Sequence, residues 1–135
     1  MAKNGEFIGT YFNLMPIFRD LNQRFFHDKI TARVRWGRRR SFAAHAKCSI
    51  RLGSYSPSNQ TIIINPCLDQ ASVPLLCLER ILFHEMLHQH LPAKKSSRGR
   101  SEIHHRQFKD FEKSFPHLKE ADLWIAANLT RLLKY

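Results

Sequence analysis

The segment Phe83-His84-Glu85-Met86-Leu87-His88 sets two histidines four residues apart, with an acid directly after the first. On an α-helix, residues i and i+4 share a face, so His84 and His88 can offer two imidazole nitrogens to one metal ion. Glu85 can reach an attacking water beside that ion without being a ligand. Two zinc ligands and a general base on one helical turn form an arrangement suited to metal-assisted hydrolysis. Leu75, Leu76, Leu78, Ile81 and Leu82 follow Pro74 in the pattern of a buried helix. An acid in the middle of such a helix has little structural reason to be there, and hydrolysis supplies one. A core helix with two incidental histidines is the competing interpretation, and it leaves Glu85 unexplained.

A catalytic zinc takes three protein ligands and keeps a further position open. One known continuation places a glycine and then a third histidine at fixed steps after the second; Leu91 and Lys94 occupy those positions here, which excludes it. The remaining candidates are Glu102 and Glu112, or His90, His104, His105 and His117. Read as a helix over Glu102 to Phe115 with Ser101 as N-cap, the next segment has an apolar stripe of Phe108, Phe111 and Phe115. Four residues before Phe108 lies His104, on the inward face, whereas His105 falls with Lys109 and Glu112 on the solvated side. His90 points about 200° around the helix from His88, a poor direction for a ligand. His104 is therefore the expected third ligand.

The elements that must hold these groups follow from patterning. Asn13 to His27 reads as a helix, with Met15, Phe18, Leu21, Phe25 and Phe26 on one stripe and Asn13 as N-cap. Ile30 to Trp36 alternates as a half-buried strand, Ser41 to Leu52 supplies a second, and Thr61 to Asn65 a third after a turn at Ser56-Pro57-Ser58-Asn59. Ser72 is a candidate cap for the metal helix, which Pro92 ends. Lys119 to Leu133 forms a last helix with Leu123, Trp124, Ala127 and Leu132 expected in the core. The expected fold class is α+β and zincin-like: a small antiparallel sheet of about three strands, packed with the HExxH helix and flanking helices in a single domain over residues 1–135.

The 135 residues are 43% hydrophobic with ten Phe, which suits one compact domain. No apolar run approaches the ~20 residues that span a bilayer, so no membrane partner is expected. Cys48, Cys67 and Cys77 form no CxxC pair, which points away from a disulfide framework and from a cysteine-rich zinc ribbon, and toward a reducing, cytoplasmic location. Twenty-two Lys and Arg against eleven Asp and Glu give a net charge of +11. Such an excess on a small domain points to a polyanion, most often nucleic acid. The expected backbone contacts are Arg38, Arg39 and Arg40 in one cluster, and Lys94, Lys95, Arg98 and Arg100 in a flexible loop beside the proposed site.

Phe83 to His88, followed after a loop by His104-His105-Arg106-Gln107-Phe108, resembles the SprT-like metalloprotease family. That family has HExxH and a downstream H-G-x-x-F segment whose histidine is the third zinc ligand. Leu21-Asn22-x-x-Phe25-Phe26 and Val34-Arg35-Trp36-Gly37 are also similar to it, so the likeness covers nearly the whole chain. It implies one zinc per chain on His84, His88 and His104, with Glu85 catalytic. His105 departs from the pattern, standing where the family has glycine and offering an alternative ligand. The accessory zinc ribbon of some members is missing. Spartan-type relatives cleave proteins crosslinked to DNA and are switched on by DNA, and the resemblance implies that role, with a DNA-associated location.

The mechanism expected from these residues is peptide hydrolysis. Glu85 takes a proton from the attacking water and delivers it to the leaving amine. Tyr55, His90 or Arg106 could add a donor to the oxyanion, and the strand over Thr61 to Asn65 could pair with an extended substrate. The rival readings are a nucleic-acid-binding module with a structural metal and no turnover, and a DNA-independent cytoplasmic peptidase.

Overall fold

The computed structural model describes residues 6–38, 51–95 and 98–133. Helix α1 spans Leu14–Phe26; Asn13 caps it by accepting from the Met15 N–H at 3.0 Å, and His27 ends it in the left-handed region at φ 52°. The side chain of Asn22 then clasps the returning chain. It accepts from the Ile30 N–H at 3.0 Å and donates to the Ile30 carbonyl at 2.9 Å, which aims the chain into β1.

Three short strands make the main sheet: β1 (Arg33–Trp36), β2 (Gly53–Ser56) and β3 (Thr61–Ile64), in the order β1-β3-β2. β2 and β3 form an antiparallel hairpin, but β1 runs parallel to β3, with Val34 opposite Ile62 and Trp36 opposite Ile64. The sheet is therefore mixed, not antiparallel as patterning suggested, because strand alternation carries no information about strand direction. β3 is central, as its β-branched run over Thr61 to Ile64 requires, with Ile62 and Ile64 fully buried. The expected second strand over Ser41 to Leu52 lies mostly outside the described residues, and the strand that pairs with β3 begins at Gly53, running through Ser56 where a turn was expected.

A 3-10 turn at Pro66–Leu68 leads to α2 (Leu75–His90), which packs on β2, β3, α1 and both later helices. Pro74, not Ser72, stands at its N-cap without a side-chain hydrogen bond; the Ser72 hydroxyl instead donates to Gln70 and accepts from Arg131. At the C-cap of that turn, the carboxylate of buried Asp69 accepts from the backbone N–H groups of Thr10, Tyr11 and Phe12 at 2.6–2.8 Å and ties down the N-terminal segment. Gly9 sits where a Cβ would lie 2.6 Å from Trp36 Nε1, so glycine is needed at that crossing.

Lys94–Lys95 (β4) and Ser101–Glu102 (β5) pair as a two-stranded ribbon, so the expected flexible basic loop is in part hairpin. The helix expected over Glu102 to Phe115 is shorter: α3 spans Arg106–Glu112, and its N-cap is His105 rather than Ser101. α4 (Leu118–Leu133) buries Ala121 and Leu132, while Leu123 is 65% exposed and Ala127 is exposed as well, contrary to the core stripe drawn from sequence. Among the described residues no helix is long and apolar enough to cross a membrane.

The centre of the core is aromatic. Phe83, fully buried, meets Phe25, Phe26, Phe111 and Phe115 at ring-centroid distances of 5.1–6.1 Å, locking α1, α2, α3 and the segment after α3 together. Phe83→Ala removes that hub one residue before His84, and urea unfolding should show a loss of about 3–5 kcal/mol. A loss below about 1 kcal/mol would contradict this assignment of the hub.

Candidate metal centre

His84 and His88 leave the same face of α2, and the chain returns through β5 to set His104 against them. One ligand atom from each of the three lies within 4.8 Å of the others. Nε2 of His88 and Nε2 of His104 are 3.2 Å apart. Two nitrogens bound at about 2.0–2.1 Å to one tetrahedral ion stand about 3.3 Å apart, so this pair is already at ligand spacing. The three side chains lie close enough together to hold one metal ion.

The sequence selected His104 for a reason the structure corrects. His104 is not on the inward face of a helix; it lies in the bend before α3 and is exposed. His105, expected on the solvated side, is 5% exposed. Its Nδ1 accepts from the Phe108 N–H at 3.3 Å, which leaves Nε2 to donate to the Pro92 carbonyl at 3.1 Å. Both ring nitrogens are thus used, His105 is no ligand, and its place as N-cap moves the helix start four residues later than the apolar stripe indicated. By joining the exit of α2 to the entry of α3, His105 fixes the loop that carries His104.

Of the remaining candidates, His90 packs its ring against Phe26 and Phe111 at 5.1 Å, and His117 pairs with Glu120. Glu102 lies exposed in β5. Glu112, assigned from sequence to the solvated side, is mostly buried and accepts at Oε2 from His84 Nδ1 at 2.5 Å and from Arg80 Nη1 at 2.7 Å. Burial by itself would raise its pKa, but the His84 hydrogen bond and the Arg80 guanidinium hold it down to about 2. Because Glu112 is then a carboxylate, His84 Nδ1 must be the donor, and Nε2 is the nitrogen left for a metal. Sequence reasoning considered Glu112 as a ligand but missed this partnership; an acid four residues after Phe108 gives no local signal of it.

Burial pushes the His88 pKa down to about 4, with the charges of His84 and His104 adding to the effect; burial and the charges of His84 and Lys109 lower that of His104. Neutral imidazoles expose the lone pairs that ligation needs. Glu85 is 7% exposed, and burial raises its pKa to about 7, against the opposing pull of His84, Arg51 and Arg80. A carboxyl poised near neutrality can accept and return a proton at ordinary pH.

The site opens on a cleft of about 950 Å³ that His84, Glu85, His88 and His104 line together with β2 and the start of α4. Tyr55 is on its wall, so it remains a candidate oxyanion donor, whereas His90 is packed between rings and Arg106 is 94% exposed beside Asp110. Gly53 brings the β2 backbone close to Glu85: a Cβ there would lie 3.2 Å from Glu85 Oε2. Of the expected cationic residues, Arg38, Lys94, Lys95, Arg98 and Arg100 are exposed, with Lys94 bonded to Gln107; Arg39 and Arg40 lie outside the described residues. Ala93 and Ile103, which flank the β4–β5 pair, line the cleft, so Lys94 follows a lining residue directly.

No protein-family model matches the chain, and no curated protein or solved structure matches it either. The functional assignment therefore stands on the geometry and chemistry of the cluster.

The raised pKa of Glu85 has a consequence for stability. With the folded value near 7 and the unfolded value near 4.5, the folded chain holds the extra proton between them, so stability falls as pH rises through that window and stays lower above it. Glu85→Gln removes the cost. In the metal-free protein it should raise stability by about 1–3 kcal/mol at pH 8 and change it little at pH 4, measured by denaturant unfolding. Equal effects at both pH values would refute the buried-acid assignment.

Proposed function

We propose that this chain is a zinc-dependent metallopeptidase of SprT-like type that hydrolyses peptide bonds in protein substrates associated with or crosslinked to DNA. The observation that carries the reading is the convergence of His84, His88 and His104 with buried Glu85 on one open cleft. A structural metal needs no acid beside it, and a closed structural site needs no cleft.

A bound zinc ion supplies Lewis acidity for the attacking water and the scissile carbonyl. Glu85 accepts the proton of the water and passes it to the leaving amine. Tyr55, on the cleft wall, is placed to donate to the oxyanion. Substrate pairing with Thr61–Ile64 is ruled out because β3 lies between β1 and β2. Among the described residues β2 is an edge strand and lines the cleft, so an extended peptide would add to Gly53–Ser56 and cross the metal site.

The net charge of +11 supports a polyanion partner, and the exposed side chains of Lys94, Lys95 and Arg98, soon after Ala93 in the chain, would hold a nucleic-acid backbone. Binding there should weaken steeply with salt.

Cleavage of a DNA-binding protein by the zinc-loaded chain, with and without single-stranded DNA, tests this reading. Glu85→Gln should lower kcat/KM by at least about 100-fold while zinc stays bound. Turnover that rises with DNA supports the whole proposal, and turnover indifferent to DNA keeps the peptidase and removes the DNA association. No turnover in either condition, with zinc bound, would favour a nucleic-acid-binding module with a structural metal.

A further inference from the structure

Behind the three imidazoles runs a chain of charged groups that the proposed chemistry does not itself use. Asp122 Oδ1 on α4 accepts from Arg80 Nε at 2.8 Å, and Arg80 Nη1 donates to Glu112 Oε2 at 2.7 Å. The same Oε2 accepts from His84 Nδ1 at 2.5 Å. Arg80 precedes His84 by four residues on α2, so both face the end of α3 where Glu112 sits. The side chains of Arg80 and Glu112 are 13% and 16% exposed, and that of Asp122 is 50% exposed.

Two of these contacts are hard to account for as stability alone. A largely buried Arg80–Glu112 pair costs desolvation that an apolar pair would avoid. Aiming one carboxylate oxygen at both the arginine and an imidazole nitrogen adds nothing to packing. It does fix which nitrogen of His84 carries the proton and which way the ring faces. A histidine that ligates a metal through one nitrogen needs its other N–H anchored, and a carboxylate in that place also raises the basicity of the ligating atom.

We infer that Glu112 is the positioning residue of His84, holding it as the Nδ1–H tautomer with Nε2 turned toward His88 and His104, and that Arg80, anchored by Asp122, holds Glu112 in place. The inference rests on reading His84 as a metal ligand. It makes α4 part of the metal site without contributing a ligand: the helix acts through one guanidinium whose planar fork spans two carboxylates, a geometry that lysine cannot reproduce.

The test pairs zinc affinity, measured by competition with a chromophoric chelator, with the ring ¹⁵N spectrum of His84 in the metal-free protein. Wild type should show His84 protonated at Nδ1. Glu112→Gln should mix the tautomers and weaken zinc binding by about 10–100-fold. Asp122→Asn contacts neither His84 nor Glu112 and carries little risk to folding; it should weaken binding in the same direction by a few-fold. With cobalt(II) in place of zinc, the visible spectrum of Glu112→Gln should keep the wild-type shape, because no ligand is lost. Wild-type affinity and tautomer in Glu112→Gln, or a changed cobalt spectrum that makes Glu112 a ligand, would overturn the inference while leaving the metal site standing. A wild-type protein that binds no zinc would instead overturn the metal reading on which it rests.

Discussion

Three imidazole nitrogens gathered within 4.8 Å on a half-buried surface are an unfavourable arrangement unless something shares them. Protonated, the rings repel one another, which is part of why His88 is pushed down to about 4. Neutral, the 3.2 Å contact of His88 with His104 pairs one N–H with one lone pair, and the lone pair of His84 Nε2 gains nothing from that bond. A single cation resolves both problems. The surrounding features follow from that need: α2 supplies two rings from adjacent turns, the β4–β5 ribbon returns the third, and Glu112 turns His84 to face them.

The same burial that makes the cluster costly tunes the groups beside it. Glu85 and Glu112 are carboxyls on either side of His84, and their environments drive them apart. Glu85 is buried with the β2 backbone at Gly53 close against it, and rises toward neutrality despite the charges of His84, Arg51 and Arg80. Glu112 has an arginine and an imidazole N–H, and stays ionised. Under the proposed reading, the one is suited to moving a proton and the other to fixing a ring.

Much of this was legible in the sequence, to different depths. The i, i+4 spacing of His84 and His88 and the acid between them specify a helix face because helical periodicity is local. The β-branched run over Thr61 to Asn65 identified a strand for the same reason, and β3 spans Thr61–Ile64. What patterning lacked was anything non-local. The parallel pairing of β1 with β3, the central place of β3, and the edge position of β2 depend on contacts between distant segments. His104 was reached by extending α3 backwards through His105, where the chain in fact caps and turns. The Phe108, Phe111 and Phe115 stripe was real, but a histidine that accepts from the N3 backbone N–H marks a helix start that a hydrophobic pattern does not register. The Asp122–Arg80–Glu112–His84 chain joins three helices, and no spacing rule within one segment points to it.

The central claim is that His84, His88 and His104 bind one metal and leave it open toward the cleft. X-ray absorption at the zinc edge of the loaded protein measures this directly. Three imidazole nitrogens at about 2.0–2.1 Å, completed by one or two oxygen atoms of solvent, are expected at one zinc per chain. A sulfur in the first shell, a fourth imidazole, or fewer than three histidine ligands would contradict it.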